Sequence, residues 1–380
     1  MTLLILLALP LVVAAIGFAV SKGRFNWLEA LIQAGVGILL MGGGYLSARY
    51  IKTADTEIWN GRIVKTVGTQ GCCHSYSCNC STTCLPNCTT DSNGNMSCGL
   101  SCSEHCDTCY RHDHDFYWSA ETTNRESVFH DGCNPPGTPA PAEWNQIVEG
   151  EPSAVEHSYV NYIKGAPGKF FRQSWLLDRY KGKLPAYPRV HGRYKADRFL
   201  LSAIGEALPD AGDLNGRLAR INGDLGRAKQ VNIIVVVTAE DSTSYAEALS
   251  EAWLGGKKND LIVVVGVPVF PRIGWVRVVS WTDAQEVKDA IADRATALGE
   301  FDGRKLLSIV EQEVAAKFKR KAMSDFRYLL KEIEPPGWAL GILIALGLLV
   351  SGGLQAWFWV NDPFGKDKTT SSRRQTRREG

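Results

Sequence analysis

Three stretches of this chain run without charge for long enough to cross a hydrocarbon core as a helix, and they frame everything between them. They are 2–20 (TLLILLALPLVVAAIGFAV), 30–48 (ALIQAGVGILLMGGGYLSA) and 338–360 (WALGILIALGLLVSGGLQAWFWV), each near the ~20 apolar residues that a spanning helix needs. The third has Trp338 at one end and Trp357 and Trp359 at the other, the placement expected of aromatic side chains at two membrane interfaces. The first lacks a basic leader and is followed at once by a second apolar run, so it reads as a retained span and not as a cleaved signal peptide.

Between the second and third spans the pattern changes several times. Residues 49–67 alternate loosely and predict a strand or two leading away from the membrane. Residues 134–210 open with NPPGTPAPAEW, a proline-rich linker, and continue as an irregular segment with aromatic residues among basic ones. Such interleaving can serve nucleic acid or an anionic membrane, but it also describes a loop-rich subdomain, and no nucleic-acid partner is expected.

From 211 to 333 the periodicity is regular. LNGRLARINGDLGRA has helical spacing, and VNIIVVVT reads as a strand buried on both faces. SYAEALSEAWL follows as an amphipathic helix with Ser244 as its N-cap. DLIVVVGV and WVRVVS are two further strands, and two helices follow, the second running through KLLSIVEQEVAAKFKRKAMSDFRYLLKEI toward the third span. That order predicts an α/β fold, a small sandwich of helices on a short mixed sheet.

Charge orients the chain. The tail at 361–380 holds Lys366, Lys368, Arg373, Arg374, Arg377 and Arg378, and the link between the first two spans holds Lys22 and Arg24. Short basic segments of this kind stay in the cytoplasm, and with three spans the two assignments agree. The central region is then expected outside the cytoplasm, with the bilayer and a protein as partners. The lysines and arginines at 317–331 dilute the asymmetry, but a long domain crosses largely regardless of charge.

All eleven cysteines fall between Cys72 and Cys133. The surrounding sequence is rich in Ser, Thr, Asn and Gly, so a module at 51–133 cannot bury enough apolar surface to fold without staples. Outside the cytoplasm the expected staples are disulfides, with Cys72, Cys73, Cys78, Cys80, Cys84, Cys88, Cys98 and Cys133 as candidates. The odd total leaves one thiol to pair elsewhere, bind metal or stay reduced. The alternative is zinc, because Cys102, Cys106, Cys109, His112 and His114 lie close together and Cys106 with Cys109 forms a CxxC knuckle. Disulfides, zinc and a mixture all remain open at this level.

A helix, the strand VNIIVVVT, a helix ending in Trp253, and then LGGKKNDLIVVVGV leading to WVRVVS together resemble the TPM family of thylakoid-lumen and periplasmic proteins. The resemblance covers about a third of the chain and rests on this pattern and on Gly255, Gly256, Lys257, Lys258, Asn259 and Asp260. It implies a lumenal or periplasmic domain with a membrane helix after it. It also implies acid phosphatase or calcium-binding activity from strand-end acids, here Glu240, Asp241, Asp260 and Asp283. SWTDAQ stands where the family has a glycine-rich turn, which removes the backbone freedom needed to cradle a phosphate.

No Walker loop, GxSxG elbow or HExxH pair occurs, and no catalytic residue is assigned. The expectation is a membrane-anchored binding or assembly protein, with a phosphatase and a cytoplasmic zinc module as the alternatives. Calcium and zinc are the only cofactors the sequence suggests.

Overall fold

The structure, a computed structural model, describes residues 2–21, 25–90, 96–134, 138–202, 208, 210–361, 363 and 364, with backbone alone for 69–74, 86–90, 96–101, 110–115 and 133. In chain order the elements begin with α1 (Thr2–Val20), α2 (Trp27–Thr53), β1 (Ala54–Thr90), β2 (Met96–Thr122), β3 (Ser127–Asn134) and β4 (Pro152–Val160). Next come α3 (Tyr162–Gly165), α4 (Ser174–Arg179), β5 (Val190–His191), β6 (Lys195–Ala196) and β7 (Phe199–Ser202). They continue with α5 (Ala211–Lys229), β8 (Asn232–Thr238), α6 (Ser244–Ala252), β9 (Asp260–Gly266) and β10 (Trp275–Ser280), then α7 (Gln285–Thr296), α8 (Gly303–Lys317) and α9 (Gly337–Asn361). The chain divides into a helical unit (Met1–Thr56, Ser158–Ser174 and Ala322–Gly380) and a sheet unit (Glu57–His157 and Trp175–Lys321).

In the helical unit, α1, α2 and α9 are long and apolar enough to cross a membrane. Asn26 starts α2 with a reciprocal capping box, its side chain accepting from the Leu28 N–H while the Glu29 carboxylate accepts from the Asn26 N–H at 2.7 Å. Lipid offers apolar side chains no reason to leave it, so such helices associate by close approach at small residues. A Cβ at Gly37 would meet Pro10, one at Gly44 would meet Leu343, and one at Gly347 would meet Met41. α2 continues beyond the apolar run because Arg49 donates to the Leu330 carbonyl and Lys52 to that of Glu334. The strand predicted from residue 49 therefore starts at Ala54. The basic tail lies outside the described residues.

The sheet unit holds a mixed four-stranded sheet in the order β10-β9-β8-β7, with β7, β8 and β9 parallel and β10 antiparallel to β9. Every position of β8 and β9 is buried. Ile233, Val235, Val237, Leu261, Val263 and Val265 face a core that also takes Leu214, Leu218, Val287, Ile291, Leu306 and Val310 from α5, α7 and α8. Ile234, Val236, Ile262 and Val264 face the other way, onto Leu176 of α4, Tyr180 just after it, and Tyr245 and Leu249 of α6. Helices thus cover both faces, as uninterrupted apolar strands require.

Two differences from the periodicity have physical causes. β7 carries only FLLS, too short to announce itself, and is held by Asn215, whose side chain accepts from the Arg198 and Phe199 N–H groups at 2.9 and 3.2 Å. The helix predicted through 305–333 stops at Lys317, because the next residue, Phe318, is turned into the core. Beyond it Arg320 pairs with Glu57 and Lys321 with Asp283.

The cysteine-rich segment is a ribbon. β1 and β2 pair antiparallel from Ile63↔Thr122 to Thr90↔Met96, while β3 accompanies β2 only as far as Phe116↔Asn134. The base has a core of Ile63, Trp118, Ala120, Val128, Phe129, Ile147 and Tyr194. Beyond Gly71↔Asp115 no third strand joins among the described residues. There the side chains described are mostly exposed.

Candidate functional site

Among the described residues three disulfides cross the ribbon: Cys78–Cys109, Cys80–Cys106 and Cys84–Cys102, with Cα separations of 5.8, 4.0 and 4.0 Å. Residues directly opposite in an antiparallel pair, such as Cys84 and Cys102, bring their Cβ atoms within bridging reach. Spacings of four place Cys80 and Cys84 on one face of β1, and Cys102 and Cys106 on the matching face of β2. The bridges close loops of 31, 26 and 18 residues, and one loop of such length contributes roughly 3–4 kcal/mol in the chain-entropy account. Covalent rungs stand here in place of a core. Tyr76 and Leu85, 50% and 66% exposed, are large apolar groups on its surface.

Of the zinc candidates, the three cysteines whose side chains are described do not converge as free thiolates. Cys102, Cys106 and Cys109 are bonded to Cys84, Cys80 and Cys78 instead of facing one another. The Glu104 carboxylate lies beside Cys80 and Cys106, but those two sulfurs are bonded to each other. The side chains of His112, His114, Cys72, Cys73, Cys88, Cys98 and Cys133 lie outside the described residues; along the backbone Cys73 is opposite His112 and Cys88 opposite Cys98.

The strand-end acids do not converge either. Asp260 opens β9, whereas Glu240 and Asp241 follow the far end of its parallel neighbour β8. Asp283, on an exposed turn after β10, is paired with Lys321. These positions give no shared set of oxygens for a calcium ion.

At the amino ends of the parallel strands lies a buried polar network. Asp260 is fully buried and accepts from Asn232 Nδ2 at 2.9 Å, the Tyr187 hydroxyl at 2.8 Å and the Lys257 N–H at 2.6 Å. Burial pushes its carboxyl up to about 6, against the downward pull of those three donors. Gly256 sits at φ +77°, where a Cβ would approach Asp260 Oδ2 to 2.8 Å, so the GGKKND loop needs glycine both for its turn and for this carboxylate. Asn232 Oδ1 accepts from Asn60 Nδ2 at 3.1 Å and from Arg198 Nη1 at 3.3 Å. Arg198 also donates to Asn60 Oδ1. Burial lowers the Arg198 guanidinium to about 10, partly countered by Tyr187, Asp197 and Asp260. Asn259 Nδ2 donates to the Ile58 carbonyl at 2.8 Å, so the start of β1 is tied to the amino edge of the mixed sheet.

Next to this network the buried Glu57 carboxylate collects Arg320, Lys258 at 3.4 Å, the Trp59 indole N–H at 2.9 Å and His157 at 3.9 Å. His157 stacks on Trp59 with ring centroids 3.7 Å apart. Burial lowers the Lys258 ammonium, and Glu57 partly restores it.

The carboxyl ends of the strands, where open α/β sheets receive ligands, are hydroxyl-rich and partly exposed. Lys183 pairs with Glu240 at 2.6 Å, and the Lys183 carbonyl accepts from Ser202 and Tyr245 at 2.6 and 3.1 Å. Burial raises the Tyr245 hydroxyl. Ser244 exchanges hydrogen bonds with Tyr180 and Ser242. Ser244, expected as an N-cap, is instead the first helical residue of α6, and Ser242 Oγ accepts its N–H at 3.3 Å. Asp241 is exposed beside this group.

No protein-family model, curated protein or solved structure matches this chain. Sequence reasoning passed over Asn60, Tyr187, Arg198 and Asn232, whose partners are mostly far away in sequence; Asn232, heading an otherwise apolar strand, was the one visible signal.

Proposed function

We propose that this chain is a membrane-anchored binding or assembly protein of a bacterial envelope, encoded by a bacterium or a bacterial virus, with the cysteine ribbon and the α/β unit outside the cytoplasm. The observation that carries the reading is the set of three cross-strand disulfides on a ribbon with exposed faces. Disulfides persist in oxidising compartments, which agrees with the side assigned by the short basic segments. A cross-linked ribbon whose described side chains beyond its base are mostly exposed offers a pre-organised surface that loses little entropy when a partner docks. Tyr76 and Leu85 are the natural anchors for a protein partner.

The mixed sheet with helices on both faces supports a TPM-like reading of 211–333. Binding is favoured over phosphatase action because Asp241 and Asp260 stand at opposite ends of the sheet and SWTDAQ lacks the glycines of a phosphate-cradling turn.

The test is a protease added to sealed right-side-out cells carrying an epitope at the C-terminus. Digestion of the central region with an intact tail is expected. Loss of the tail with a protected centre would reverse the topology and bring back the cytoplasmic zinc reading.

A further inference from the structure

A cleft of about 250 Å³ opens in the sheet unit between the base of the ribbon and α5, lined among others by Trp59, Arg125, Gly226, Arg227 and Gln230. Among the described residues no acidic side chain lines it. Neither the Arg125 nor the Arg227 guanidinium has a hydrogen-bond or ion-pair partner among the described residues. Gln230 Oε1 accepts from Arg320 at 2.5 Å, which orients the amide and leaves its two N–H donors available.

The backbone supplies an independent observation. Arg125 has φ +64° and Gln230 φ +51°. Arg125 ends the tight turn joining β2 to β3, in which its N–H donates to the Thr122 carbonyl, a position that glycine fills at least strain. Gln230 terminates α5 in the left-handed conformation, again a place where glycine is the cheaper residue. Two glycine positions thus carry long donor side chains, and both side chains line one cleft. Strain held at two points around one concavity is the pattern of a functional site.

We propose that this cleft binds a small ligand through a phosphate or carboxylate group, with the two guanidiniums as its bidentate donors, the Gln230 amide beside them and Trp59 as the apolar wall. Planar guanidinium forks match both oxyanions. No acid among the described lining residues competes for the guanidiniums. The site lies away from the carboxyl-end hydroxyl cluster and does not depend on the topology proposed above.

The experiment is calorimetric titration of the full-length protein in detergent with inorganic phosphate and, separately, with citrate, against a sodium chloride blank. Saturable heat from at least one anion is expected, and which of the two it is assigns the ligand to phosphate or to polycarboxylate compounds. Arg227→Ala and Arg125→Gly are each expected to weaken that binding about tenfold. Arg125→Gly and Gln230→Gly should meanwhile leave the thermal midpoint unchanged or raise it, because glycine relieves the strain, so loss of binding cannot be laid to misfolding. Absence of heat from both anions in the wild type would overturn the proposal. So would binding that survives both arginine substitutions, which would place the anion elsewhere.

Discussion

Arg198 and Asp260 are a buried cation and a buried anion joined through Asn232 and not by direct contact. Asn232 turns its carbonyl oxygen to the guanidinium at 3.3 Å and its amide nitrogen to the carboxylate at 2.9 Å. Its orientation is therefore fixed from both sides, and β7, β8 and β9 are tied at their amino ends by one side chain.

Replacing that relay with an apolar residue of similar size should cost more than an ordinary core substitution. Asn232→Leu leaves two charged groups buried without their shared partner, a loss on the order of 3–5 kcal/mol. Denaturant unfolding of the full-length protein, followed by tryptophan fluorescence, checks it, and a change under about 1 kcal/mol would mean that the network is dispensable.

The raised Asp260 carboxyl gives a pH signature. Its folded value, about 6, stands above the ordinary 3.8, so its contribution to stability is fully present below about 3.8 and is lost as pH rises through about 6. The difference is on the order of 3 kcal/mol. Between about pH 4 and pH 7 the wild type should lose stability relative to Asp260→Asn, whose amide does not titrate. Parallel pH profiles for the two proteins would contradict the assignment.

Glycines along α5 divide by what they face. A Cβ at Gly226 would run into the Asn60 carbonyl, while one at Gly216 meets nothing within 4 Å. Gly216→Ala should stabilise by about 0.5–1 kcal/mol through helix propensity. Gly226→Ala should destabilise by about 1–3 kcal/mol, because β1 must move off the helix. Thermal midpoints of the two variants, shifting in opposite directions, are the check.

These contrasts mark what was legible in the sequence. The three apolar helices and the buried strands β8 and β9 were readable because their burial is written as uninterrupted apolar runs. The ribbon was not, since beyond its base the described side chains are mostly exposed and leave no alternation of buried and exposed positions. Its only trace was the spacing of four shared by Cys80 with Cys84 and by Cys102 with Cys106, a face-sharing interval on strands. Asp260 was singled out as a strand-end acid, but its burial depends on Tyr187 and Asn232, which lie 73 and 28 residues away. Separations of that kind leave no mark in local pattern. The carboxyl-end pair Lys183–Glu240 was half visible, through Glu240 alone.

In the helical unit, Gly347→Leu should drive α9 away from Met41 of α2, whereas Gly341→Leu faces open space and should be tolerated. Heat-induced loss of helical circular dichroism in detergent should come at a lower temperature for the first variant only. Equal midpoints would count against this helix packing.

The central claim is that the cysteine segment is a disulfide-laddered ribbon displayed in an oxidising compartment. Its most direct test is peptide mapping by mass spectrometry without reduction, on protein taken from native membranes after its free thiols have been trapped by alkylation. The expected result includes crosslinks joining Cys78 to Cys109, Cys80 to Cys106 and Cys84 to Cys102. Alkylation of all six of these cysteines, together with bound zinc, would contradict it.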